Sequence, residues 1–120
     1  MTIRFGIIGT GIMGTSLGRV IRNVQNASIV ALADSVPQRL EDAGREFGVK
    51  ALYADYKEML KKEQLEAVAV ATPDHFHMEP VISALEAGCH VFVEKPLTTS
   101  QAEAEAIYRL VEKTGKKLQV

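Results

Sequence analysis

"IRFGIIGTGIMG", Ile3 to Gly14, decides how the rest of the chain is read. The apolar run Ile3–Ile8 has no helical period and suits a strand covered on both faces. Glycines then stand at positions 9, 11 and 14, spaced G-x-G-x-x-G, and a segment with helical period follows. In that segment Met13, Leu17, Val20, Ile21 and Val24 fall at i, i+4, i+7, i+8 and i+11. They are expected to form the core-facing stripe of a helix. Strand, tight glycine turn and helix make the first half of a βαβ unit.

The alternation continues to the end of the chain. Further apolar runs are SIVALA (28–33), ALY (51–53), AVAVA (67–71), CHVFV (89–93) and KLQV (117–120). Ser35–Gln38 and Ser100–Glu103 have capping-box spacing, Pro37 falls in the first turn of the second helix, and Asp55 can cap the third. Gly48, Gly88 and Gly115 stand where helices have to end, available for left-handed caps. Pro80 is tolerated only in a first turn, so the fourth helix should begin close to His77. The order β-α-β-α-β-α-β-α-β-α-β, with right-handed crossovers, predicts an α/β fold in three layers. It is a doubly wound parallel sheet of the Rossmann type, strand order 3-2-1-4-5-6, with helices on both faces.

Composition excludes several classes of function. The 120 residues are enough for one domain, and 47% hydrophobic with 24% charged residues describes a globular chain rather than a disordered one. Net charge is −1 and the basic residues do not cluster, so neither nucleic acid nor an anionic membrane is an expected partner. A single cysteine, Cys89, excludes an internal disulfide and fits a reducing compartment. Glycines interrupt the apolar N-terminus, which argues against a signal peptide. No apolar run approaches the roughly 20 residues of a membrane span. The expected location is the cytoplasm.

In such a sheet, ligands bind beyond the carboxyl ends of the strands, where strand order reverses. Gly9 makes the tight turn, Gly11 lets backbone approach a pyrophosphate, and Gly14 allows close packing of helix on strand. Thr10, Ile12 and Met13 complete that loop, whose free N–H groups at the helix start face an anion. Asp34 lies 20 residues after Gly14, at the end of the second strand. There it is placed to accept hydrogen bonds from an adenosine ribose, or else serves only as a turn residue or helix cap. Ser35, rather than arginine, follows it, which favours NAD over NADP. Arg39, one turn into the next helix, could reach a phosphate and make that preference incomplete.

Two further loops belong to the same sheet edge. "TPDHFH", Thr72 to His77, has histidines at i and i+2, but no cysteine or carboxylate completes a metal-ligand spacing, so no metal site is expected. It reads either as a helix-entry loop or as the wall against the nicotinamide half of a cofactor. "VFVEKP" presents Glu94, Lys95 and Pro96 at the tip of the fifth strand. Elsewhere they would be a solvated tip, but here Lys95 could bring a cationic donor to a substrate hydroxyl or carbonyl, with Pro96 stiffening the turn.

The segments "GTGIMG", "ATPDHFH" and "EAGCHVFVEKP", and the spacing between them, resemble the Gfo/Idh/MocA oxidoreductases across essentially the whole chain. The resemblance implies an N-terminal nucleotide-binding domain, residues 1–120, followed in such proteins by a C-terminal α/β domain. It implies that Lys95 contacts substrate and takes part in catalysis, that Glu94 orients it, and that the Lys95–Pro96 bond is often cis. Thr72, Pro73, His75 and His77 would line the cofactor cleft. Where the family often has lysine before the histidine of "GKHV", this chain has Cys89. The chain stops at Val120, so a second domain and its catalytic groups are expected to be absent from it. The exposed strand edge left there could support self-association.

The leading expectation is therefore the NAD-preferring binding domain of an oxidoreductase acting on a small sugar, polyol or related hydroxyl compound. A non-catalytic dinucleotide-binding sensor is the first rival, against which the presence of Lys95 argues. A methyl-donor enzyme is the second; the third glycine and the EKP segment fit it poorly.

Overall fold

The computed structural model describes residues 2–73, 78–94 and 100–120. His75, His77, Lys95 and Pro96 lie outside these described residues. Among the described residues six strands alternate with five helices: β1 (Ile3–Ile8), α1 (Ile12–Arg22), β2 (Ala27–Ala33), α2 (Pro37–Phe47), β3 (Leu52–Tyr53), α3 (Tyr56–Lys62), β4 (Ala67–Val70), α4 (Met78–Glu86), β5 (His90–Val93), α5 (Gln101–Thr114) and β6 (Leu118–Gln119). Every pairing is parallel and the order is β3-β2-β1-β4-β5-β6, as the chain pattern predicts.

Side-chain alternation divides the core into the two faces of the sheet. Ile7, Leu32 and Ala69 point to one face, where Leu40 and Ala43 of α2 are buried and Leu17 and Ile21 of α1 pack against them. Ile8, Ala33, Val68, Val70, Val91 and Val93 point to the other, with Met59 of α3, Val81, Ala84 and Leu85 of α4 and Ile107 of α5. Burial on both faces explains why these strands read as continuous apolar runs.

The apolar stripe expected on α1 is a correction. Met13, Val20 and Val24 are each more than half exposed. The buried residues of the helix are Gly14 and Gly18, flanked by Leu17 and Ile21. Close approach selects the glycine side of the helix: a Cβ on Gly18 would stand 2.5 Å from the Phe47 ring of α2. The buried face is thus turned toward residues that apolar counting passes over.

The cap signals hold at α3 and α5. Asp55 accepts from the N–H of Lys57 at 2.9 Å, and Ser100 from the N–H of Glu103 at 3.3 Å. Gly48 and Gly115 close α2 and α5 in the left-handed conformation. Pro80 falls in the first turn of α4, where its missing N–H is harmless. Ser35 is the second correction, since α2 begins at Pro37 with Val36 as its cap residue, whose side chain makes no capping bond. Asp34, not Ser35, takes the local N–H, accepting from Val36 at 2.8 Å.

Candidate functional site

Strand register levels the loops that matter. Ile8 pairs with Ala33 on one side and Val70 on the other, and Val70 pairs with Val93. The ladder continues one step further: Gly9 donates to the Ala33 carbonyl, Ala71 to Ile8 and Glu94 to Val70. The segments starting at Gly9, Asp34, Ala71 and Glu94 therefore leave the sheet at a common edge, with the order reversal between β1 and β4. Over that reversal lies an open cleft of about 1010 Å³.

The three glycines have separate reasons. Gly9 has φ +95°, and a Cβ on it would stand 2.7 Å from the Ala71 carbonyl oxygen. A Cβ on Gly14 would lie 1.8 Å from the Gly9 carbonyl oxygen, so α1 sits directly on its own turn. At Gly11 a Cβ would meet only the Arg39 guanidinium, at 3.8 Å, and would project into the cleft. The first and third glycines are required by the protein itself. The second leaves room for something the protein does not supply.

The start of α1 agrees. No side chain caps it, and no acidic residue occupies its first turn. In contrast, α3 and α5 carry both a side-chain cap and an acidic first-turn residue, Glu58 and Glu103. An uncapped helix start beside Gly11 offers backbone N–H groups and the positive end of the helix dipole to an anion. These residues fit a pyrophosphate.

The cleft walls hold most of the residues expected there: Thr10, Ile12, Met13, Asp34, Ser35, Arg39, Thr72 and Pro73. Glu94 is half-buried just beyond β5. Among the described residues, no group of three His, Cys, Asp or Glu is arranged to hold a metal, and no helix is long and apolar enough to cross a membrane. Cys89 is buried, its thiol pushed up by burial, and its Sγ lies 3.5 Å from the Leu65 carbonyl on the side away from the cleft.

Two features were missed by sequence reading. One is the far wall, formed by Tyr56 and Glu79. The Tyr56 hydroxyl donates to Glu79 Oε1 at 2.9 Å, and Lys57 Nζ pairs with the same oxygen at 2.9 Å, tying α3 to α4. Burial, aided by the Glu79 hydrogen bond, pushes the Tyr56 phenol up to about 12. Glu79 is held below the usual carboxylate range by Lys57 and Tyr56. The second is the junction between Thr10 and Asp34, whose carboxylate Oδ2 accepts both the N–H of Thr10 at 2.7 Å and its hydroxyl at 2.8 Å. Nothing local in the sequence signals either contact, but adjacency of β1 and β2 could have suggested the second.

A glycine turn at the switch point, an open helix start and an acid at the tip of the neighbouring strand define a dinucleotide-binding domain. Comparison with known proteins places it further. Residues 3–120 match the family described as "Oxidoreductase family, NAD-binding Rossmann fold", and the chain belongs to this Gfo/Idh/MocA family. It is 34% identical over 114 residues to scyllo-inositol 2-dehydrogenase (NAD(+)) of Bacillus subtilis, covering 94% of this chain and 33% of that protein. It is 36% identical over 114 residues to 2,7-anhydro-N-acetylneuraminate hydratase of Mediterraneibacter gnavus, covering 95% and 30%. The crystal structure of scyllo-inositol dehydrogenase from Lactobacillus casei, with bound NAD(H) and scyllo-inositol, superposes with TM-score 0.92 at 31% identity, covering 99% of this chain and 36% of that one. The chain thus spans about a third of the length of these relatives.

Proposed function

We propose that this chain is the cofactor-binding part of an oxidoreductase that moves a hydride between NAD and a sugar, polyol or related hydroxyl compound. Residues 1–120 form the nucleotide domain of that reading, and substrate recognition is assigned to a separate α/β domain of the kind the relatives' greater length leaves room for. The observation that carries it is the uncapped start of α1 at Gly11, facing the cleft that Asp34 also lines.

In this reading the N–H groups at the start of α1, beside Gly11, hold the pyrophosphate, and Asp34 accepts from the ribose. Arg39 lies over Gly11 as a counter-charge. Thr72, Pro73, His75 and His77 form the wall toward the nicotinamide. NAD, when bound, supplies the hydride acceptor. Lys95 holds or moves the proton of the substrate hydroxyl, with Glu94 and Pro96 setting its direction. A carboxylate at position 34 repels a 2′-phosphate, so NAD is preferred over NADP, while Arg39 limits the preference. The cytoplasm is the compartment this reading assigns.

Fluorescence titration with NADH and NADPH tests the cofactor assignment. NADH should bind more tightly, and Asp34→Ala should weaken it about tenfold or more, from about 1.5–3 kcal/mol of hydrogen bonding to a charged group. The gap to NADPH should narrow. Equal affinities in the unaltered protein would refute the NAD preference. Binding of S-adenosylmethionine in place of NADH would refute the reading altogether.

A further inference from the structure

Thr10 is the one buried polar side chain among the described residues, at 4% exposure. It stands between the two glycines that shape the loop, where a small apolar residue would satisfy packing. Its hydroxyl is committed: it donates to Asp34 Oδ2 at 2.8 Å, beside the Thr10 N–H at 2.7 Å. Asp34 Oδ1 takes the Val36 N–H at 2.8 Å. A carboxylate offers about four acceptor positions, so the protein fills three, two of them on Oδ2. One is left, on Oδ1.

This arrangement follows from the register. Ile8 pairs with Ala33, which sets the turn after β1 beside the first residue beyond β2 although Thr10 and Asp34 are 24 residues apart. Thr10 and Val36 therefore grip the carboxylate from the β1 turn and from its own turn. We infer that Thr10 is a positioning residue for cofactor choice. Its hydroxyl holds Asp34 Oδ2 so that Oδ1 alone faces the ribose, and the preference for NAD over NADP depends on that grip. The inference rests on the dinucleotide reading of Asp34 and goes beyond it, since Thr10 acts through Asp34 and not on the ligand.

Removing the hydroxyl while keeping the shape leaves an Oδ2 lone pair facing a methyl group. The carboxylate keeps the two backbone N–H bonds from Thr10 and Val36 but loses one of its two bonds on Oδ2, so its orientation toward the ribose is less firmly fixed, whereas a ligand carrying a 2′-phosphate gains little from it in either case. Dissociation constants for NADH and NADPH are measured for the unaltered protein, Thr10→Val, Thr10→Ser, Asp34→Ala and the Thr10→Val/Asp34→Ala double variant. Thr10→Val should weaken NADH about tenfold, the scale of one hydrogen bond to a charged group, and change NADPH by less than about twofold. Thr10→Ser should restore NADH binding. In the Asp34→Ala background, Thr10→Val should do nothing further, as expected for two residues acting as one unit. If Thr10→Val fails to fold, Thr10→Ala against Thr10→Ser makes the same comparison. Equal weakening of both cofactors, or an additive double variant, overturns the inference while leaving Asp34 in place. An Asp34→Ala variant that binds both cofactors normally overturns the ribose reading of Asp34, and the role of Thr10 with it.

Discussion

Gly11 and Gly14 belong to one motif, yet their substitution by alanine should fail in opposite ways. At Gly14 the added Cβ would lie 1.8 Å from the Gly9 carbonyl oxygen, where side chains do not come within 3.0 Å, so a gap of about 1.2 Å has to open. The turn cannot yield easily, because the Gly9 N–H is bonded to the Ala33 carbonyl and there is no room for even a Cβ between Gly9 and the Ala71 carbonyl. Overpacking of this kind costs about 3 kcal/mol, and the better helix propensity of alanine offsets about 1 kcal/mol. The net loss of about 2 kcal/mol corresponds to a fall in Tm of about 8 °C for a chain of this size. Gly11 has φ −75° and meets only the flexible end of Arg39. Gly11→Ala should therefore cost no more than about 1 kcal/mol, the weaker capping of alanine. Its Cβ would instead occupy the cleft and weaken NADH binding by more than tenfold, an expectation that follows from excluding backbone from the pyrophosphate. Thermal melts without ligand, paired with NADH titration, read both effects. Similar melting temperatures for the two variants would refute the division of roles between these glycines.

Two further outcomes are expected. The folded-state pKa of Tyr56 is raised, so the stability it contributes is present below about pH 10 and is lost as pH rises toward about 12; Tyr56→Phe should flatten this limb of urea midpoints measured at pH 9 and 11, and a parallel decline would contradict it. Asp55→Ala removes the cap of α3 and should lower stability by about 1 kcal/mol by urea denaturation, an unchanged midpoint showing that the Lys57 N–H is equally well served by water.

Strand order and most helix ends were legible in the sequence because their signals are local. Apolar runs without period announced the buried strands, and Asp55, Ser100, Gly48 and Gly115 marked ends through bonds and backbone angles a few residues away. The face of α1 was not legible in that way. Met13, Val20 and Val24 carry the apolar weight, but contact distance is set by Gly14 and Gly18, which carry none. Ser35 does not cap, because α2 begins later than the capping-box spacing places it, at Pro37 with Val36 as its cap residue, and the N–H of Val36 goes to Asp34. The glycine loop and Asp34 could be found from spacing. The Thr10 grip and the Tyr56–Glu79 wall needed the register of strands and the docking of helices distant in sequence.

The seam beneath the cleft also bears on how the molecule assembles. β1 pairs with β2 through residues some 24 positions apart, but Phe5–Ile8 pair with Ala67–Val70, across 62 positions. Closing that longer loop carries the greater entropic penalty and tends to come later in folding. The two sides of the cleft, Gly9–Ile12 and Ala71–Pro73, are brought together only when this pairing forms. A dinucleotide bound across them, as proposed above, would act as a clasp on the closure of longest range. Its binding energy is felt as resistance to separation of the two halves, worth about 2.7 kcal/mol at a hundredfold excess over Kd. Amides of β1 and β4 would then exchange more slowly in the presence of cofactor than those of the outer strands β3 and β6.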